Sequence, residues 1–274
     1  MTTHRSARGG VLVVAPTRRE LGVVARRGGR PAASGRARAG RGRLPAAGVR
    51  AAVVGTGRAA GPRTAAMLDA EPKAVLVSLG FAGGLDPALR PGDLVVAGTY
   101  RHGDGETVGD ANLAARVSIL LVCLGIAAPA GVVLTTDEPL LTPDSKQRAR
   151  AGGDHLVVDM EGYWIAGAAQ ARGVPHIGLH CVVDEADVAL PDFVSRVATA
   201  PHRREWIHAL GALRSVGAAR DLSILARRAR TAGWALQEAA WAVLEAVADG
   251  ALPGGAHVAP ESPSTSTMPP SGGR

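Results

Sequence analysis

Lysine, cysteine and aromatic side chains are all scarce in this 274-residue chain. Two cysteines, Cys123 and Cys181, exclude a disulfide framework and a cysteine-built zinc site. Aromatics at 3% exclude repeated stacking platforms for single-stranded nucleic acid. Lysine occurs only as Lys73 and Lys146 among 31 basic residues, so the basic character is almost wholly arginine. The start, MTTHRSARGG, is charged and carries no apolar core of signal-peptide length. The longest uncharged run, VSILLVCLGIAAPAGVVL from Val117 to Leu134, nearly matches a membrane span. Pro129 and Gly131 cut it into a helix end and a strand. A soluble, cytoplasmic protein is expected, with room for peripheral contact with a membrane.

Hydrophobic residues make up 46% of the chain, enough for a sizeable core. The formal charge of +7 is unevenly spread. Residues 1–63 hold 14 arginines and one acid, Glu20, for +13, while the remainder carries −6. With 36 glycines and 18 prolines, this pattern looks like GC-rich coding bias rather than a phosphate-binding surface. No nucleic-acid partner is expected.

Short apolar runs at 11–15, 49–55, 74–80, 93–99, 130–136 and 175–183 read as buried strands. Helical stretches at 59–69, 111–124 and 160–172 lie between them. That alternation predicts an α/β sheet covered on both faces. The Gly/Arg/Pro-rich stretch 26–48 predicts a long connection. Beyond 192 the pattern is helical only, at 203–216, 221–230 and 233–249. The expected organisation is a flexible start (1–10), one domain (11–249) including a helical extension (203–249), and a disordered tail (250–274).

Three stretches could carry chemistry. GTGRAAG (55–61) partly imitates a dinucleotide fingerprint, but the next strand ends in glycines rather than the required acid. A tight strand-to-helix turn is the better expectation, and no cofactor is expected. SLGFAGGLDPALRPGDLVV (78–96) places Gly80, Gly83 and Gly84 at the carboxyl end of a buried strand, where α/β sheets bind ligands. Asp93 is expected to fix the loop before the next strand. In the third stretch, 157–191, Glu161 and Asp184 lie at neighbouring element ends and could converge on one pocket. One carboxylate accepting sugar hydroxyls and a second donating a proton to a leaving group suit glycosidic cleavage. Glu161 alone reads equally well as a helix N-terminal acid. Asp184, Glu185 and Asp187 have no partnered His or Cys spacing, so no metal is expected.

Taken in order, VLVVAPTRRE, VVGTGRAAGPRTA, LGFAGGLDPALRPGDLVV, TTDEPLLT, VVDMEGYWIA and CVVDEAD resemble the nucleoside phosphorylase and nucleosidase superfamily. The resemblance spans 11–191 and implies a three-layer α/β/α fold with a mixed central sheet. It also implies cleavage of the N-glycosidic bond of a purine nucleoside, with water or phosphate as co-substrate. By motif, Met160 would pack beneath the ribose and Glu161 would bind its 2′- and 3′-hydroxyls. Asp184 would protonate the purine at N7. Glu20 would orient or activate the nucleophile, with Arg19 the competing occupant of that register. Gly80, Phe81, Ala82, Gly83, Leu140 and Val183 would line the substrate. Superfamily members are commonly homo-oligomers.

Methylthioadenosine-type nucleosidases carry a small hydroxyl residue where this chain has Phe81. They carry an arginine at His180 and a serine at Val183. The arginine-containing glycine loop that phosphorylases use for phosphate is not recognisable, which favours hydrolysis. GFAGGLDPALRPGD, DEADVALP and the helical extension look most like the hopanoid-associated branch, in which adenine is released from adenosylhopane. An apolar substrate fits Phe81 and the extra helices with Trp206, Trp234 and Trp241; helix packing is the plainer role for each Trp. Methylthioadenosine/adenosylhomocysteine and futalosine nucleosidases and purine nucleoside phosphorylase are the alternatives. The same substitutions also fit a catalytically impaired nucleoside-binding protein.

Overall fold

The computed structural model describes residues 10–24, 49–70, 75–103, 105, 108–191, 194 and 216–252. The expected flexible start up to residue 9, the connection 26–48, residues 203–215 with Trp206, and the tail beyond 252 lie outside the described residues.

Among the described residues seven strands form one sheet: β1 (Val11–Ala15), β2 (Val49–Val53), β3 (Val75–Gly84), β4 (Leu94–Arg101), β5 (Ala130–Thr135), β6 (His155–Asp159) and β7 (His176–Asp184). Their order is β2-β1-β3-β6-β5-β4-β7, and β3 also pairs with β7. Strands β3, β6, β5, β4 and β7 therefore close on themselves, while β1 and β2 extend from β3. Two pairings, β3–β6 and β4–β7, are antiparallel and the rest are parallel. The mixed sheet is the one expected; its closure through β3–β7 is additional.

Among the described residues six α-helices follow in chain order: α1 (Arg18–Val24), α2 (Ala60–Ala70), α3 (Ala111–Cys123), α4 (Pro143–Ala151), α5 (Gly162–Gln170) and α6 (Val216–Ala248). Strand alternation assigns them to faces. Val11, Val13, Val75, Val77 and Leu79 point at α3 and α6, through Leu113, Val117, Leu236 and Leu244. Leu12, Val14 and Leu76 point the other way, onto Leu68 of α2 and Ile165 of α5. The uncharged run 117–134 is shared between α3 and β5. No helix among the described residues is long and apolar enough to cross a membrane.

α6 differs from the expected pair of helices at 221–230 and 233–249. It runs unbroken through Gly233 for 33 residues, about 50 Å at 1.5 Å per residue. One interior glycine costs about 1 kcal/mol. Burial of Ala232, Leu236, Ala239, Ala240, Val243 and Leu244 outweighs it. Gly250, at φ 76°, ends the helix, and Leu252 folds back into the same core. Trp241 is buried, whereas Trp234 remains 43% exposed.

Candidate active site

The three acids Glu20, Glu161 and Asp184 come from three parts of the chain: Glu20 and Asp184 border the Gly80–Gly84 end of β3, and Glu161 lies close enough to Glu20 for their charges to oppose each other. Glu20 lies in the first turn of α1, is buried, and is held from two sides. Thr17 donates its backbone N–H (3.0 Å) and hydroxyl (2.6 Å) to Oε2, while the N–H of Phe81 donates to Oε1 at 2.9 Å. Burial raises the Glu20 carboxyl above its ordinary value, and these hydrogen bonds oppose the shift. Arg19, the competing occupant, points to solvent.

Glu161 sits at the N-terminus of α5 and accepts the N–H of Gly57 at 2.8 Å. The GTGRAAG stretch is thus a turn, with Gly55 and Gly57 at positive φ, and it anchors a carboxylate. Burial, then the nearby Asp159 carboxylate, pushes Glu161 up to about 8. Met160, partly buried, links Glu161 to Asp159.

Asp159 was not singled out by motif, yet it fixes this corner. It accepts the Thr135 hydroxyl at 2.6 Å and the Gly162 N–H, the first of α5, at 2.7 Å. Burial raises it to about 6. The available signal was an acid three residues before the first helical residue.

Asp184 ends β7 and is buried against Gly83 and Gly84. A Cβ on Gly83 would meet Asp184 Oδ2 at 3.3 Å and Val158 at 3.2 Å, so glycine here admits the acid. Oδ2 receives the Lys146 ammonium at 2.5 Å. Burial raises the Asp184 carboxyl, and Lys146 opposes the shift. Glu185 lies 2.8 Å from the guanidinium of Arg228. These two carboxylates therefore have cations of the chain itself as partners.

His180 Nε2 pairs with the Tyr100 hydroxyl at 2.8 Å, and His176 Nε2 with the Ser78 hydroxyl at 2.8 Å. Burial depresses His180 to about 4; burial and then His180 depress His176 to about 3, so both rings are neutral. Among the described residues, Nδ1 of His180 is buried without a hydrogen-bond partner. It faces Gly80: a Cβ there would lie 3.5 Å from Nδ1 and 3.9 Å from Glu20 Oε1. Phe81, Val183 and Leu140 are half-buried and Ala82 is buried. Asp93 accepts the Arg90 N–H at 2.7 Å, the loop role expected of it.

A family model described as the phosphorylase superfamily matches residues 11–212. The chain belongs to this superfamily. Solved structures share its fold at low identity. The 5′-methylthioadenosine/S-adenosylhomocysteine nucleosidase from Helicobacter pylori, with butyl-thio-DADMe-Immucillin-A, aligns at TM-score 0.59 and 17% identity, covering 85% of this chain and 98% of that one. Futalosine hydrolase of Helicobacter pylori aligns at 0.58 and 17%, covering 85% and 97%. The methylthioadenosine/adenosylhomocysteine nucleosidase from Neisseria meningitidis, in complex with methylthio-immucillin-A, aligns at 0.58 and 18%, covering 86% and 99%. At these identities the likeness shows the fold. No curated protein matches the sequence. Membership of the superfamily makes the chain a relative of nucleosidases and phosphorylases, and the cluster at the end of β3 is its candidate active site.

Proposed function

We propose that the protein hydrolyses the N-glycosidic bond of a 5′-substituted purine nucleoside and releases adenine. The observation that carries this is that Glu20 and Asp184 flank the glycine end of β3 with Glu161 near Glu20, each buried and each fixed by a backbone or ammonium donor. Glu161 binds the ribose hydroxyls above Met160. Asp184 gives its proton to N7 of the purine as the C1′–N9 bond breaks and its electron pair passes to the base. Water oriented by Glu20 adds to C1′ and leaves its proton on that carboxylate. The products are the free base and the 5′-substituted ribose. A carboxyl raised by burial suits the acid, which must carry a proton near neutral pH.

Water rather than phosphate is favoured by the charge at the nucleophile side. A dianion there would face the Glu20 carboxyl and a neutral imidazole, since burial depresses His180. An apolar 5′-substituent is supported by a groove of about 340 Å³ lined by Val188, Leu190, Pro191, Ile224, Leu225 and Arg228. It adjoins the loop that follows Asp184 and suits adenosylhopane; methylthioadenosine, adenosylhomocysteine and futalosine are the alternatives. The reading includes a cytoplasmic homo-oligomer, for which light scattering is the check.

The deciding experiment incubates purified protein with each nucleoside, with and without phosphate, and identifies both products by chromatography. Adenine with a free reducing sugar is expected. A sugar 1-phosphate formed only with phosphate would make the enzyme a phosphorylase. The substitutions at Phe81, His180 and Val183 favour a second reading, a nucleoside-binding protein without turnover. Calorimetric binding with no product from any substrate would establish it.

A further inference from the structure

We propose that Lys146 is the positioning residue for the acid: it holds Asp184 by Oδ2 and so reserves Oδ1 for proton delivery to the leaving base. This role rests on the cleavage reaction proposed above. The ammonium is 0% exposed and has three oxygens for its three N–H donors. They are Asp184 Oδ2 at 2.5 Å, the Glu185 carbonyl at 2.6 Å and the Val188 carbonyl at 3.0 Å. Among the described residues, Oδ1 of Asp184 accepts no hydrogen bond.

The choice of cation is informative. The chain carries 29 arginines and two lysines, so arginine is its default basic residue. Lysine persists where a compact, tetrahedral ammonium fits three oxygens that a planar guanidinium would overfill. Lys146 enters from α4, whose start is fixed by Pro143 and a capping box between Thr142 and Ser145. The Leu190 N–H also donates to the Leu141 carbonyl at 2.8 Å. One buried ammonium thus ties three things together: α4, the acid, and the loop that walls the apolar groove. It also opposes the effect of burial on Asp184, so the carboxyl can release its proton as well as keep it.

The scarcity of lysine makes the test simple. Protein labelled with ¹⁵N-lysine gives two ammonium signals, from Lys73 and Lys146. One signal should exchange slowly with solvent in the wild type and lose that protection in Asp184→Ala, which leaves the ammonium without its side-chain acceptor. Carbon-13 titration of the Asp184 carboxyl should move up by at least one pH unit in Lys146→Met. The alkaline limb of the pH profile of adenine release should move with it, while kcat falls at least tenfold and KM changes less. Lys146→Arg should restore the limb but not kcat. An Asp184 titration unchanged in Lys146→Met would overturn the proposal. Should that variant fail to fold, two rapidly exchanging lysine signals in the wild type would do the same. Wild-type protein that cleaves no nucleoside defeats the reaction; cleavage with an unmoved Asp184 titration defeats only the role of Lys146.

Discussion

The backbone N–H of Gly57 donates to Oε1 of Glu161 at 2.8 Å, across 104 positions of the sequence. A glycine turn after β2 and the N-terminus of α5 are locked together by a carboxylate that burial, then Asp159, pushes up to about 8. Glu161 thus couples the candidate ribose site to stability. Its folded-state value exceeds the ordinary 4.5, so the folded protein keeps a proton that the unfolded chain has released. Stability is complete below about pH 4.5 and declines as pH rises through 8. Glu161→Gln keeps an oxygen for Gly57 and removes the titration. Its Tm should exceed that of the wild type by several degrees at about pH 8.5, corresponding to roughly 1–3 kcal/mol, and match it near pH 4.5. Equal Tm differences at both pH values would contradict the assignment, and adenine release should fall in the same variant.

Asp184→Asn removes the transferable proton while keeping an oxygen for Lys146. Adenine release should drop by about 10²–10⁴, the usual worth of a positioned general acid. Circular dichroism should show a folded protein. Release at the wild-type rate would remove Asp184 from the reaction.

Most strands were legible because strands buried on both faces are continuous apolar runs, as in VLVVA and AVLVSLG. β3 runs four residues beyond its expected end, since GFAGG looks like a loop but pairs with β7 and β6. That pairing is non-local, so closure of the sheet leaves no mark on the local pattern. α4 escaped notice because PDSKQRARA has no apolar stripe; its one buried residue is a lysine. Lys146 could have been suspected only from its rarity in an arginine-rich chain. The candidate acids were legible because the resemblance carried them, whereas Tyr100 acts through contacts that no spacing encodes.

Gly178 lies between His176 and His180 on β7 and leaves room for the Tyr100 hydroxyl, into which a Cβ would run. Gly178→Ala should therefore destabilise the protein more than Tyr100→Phe. The latter keeps the ring and removes the hydroxyl that pairs with His180 Nε2, at a cost of about 1–3 kcal/mol. Thermal denaturation of both variants is the check, and a near-neutral Gly178→Ala would rule out this packing.

α6 supplies the helical layer over one face of the sheet rather than an appendage to it. Leu236 and Leu244 are fully buried and pack with Val77, Leu79 and Ile177 in one core. Either residue changed to alanine should cost about 2–5 kcal/mol by transfer and cavity formation. Arg227, exposed near the helix start, should tolerate alanine within about 0.5 kcal/mol. Urea denaturation distinguishes the two outcomes. If Leu236→Ala and Arg227→Ala unfolded at the same midpoint, α6 would have to fold separately from the sheet, and its Leu236–Leu244 face would not be part of the core.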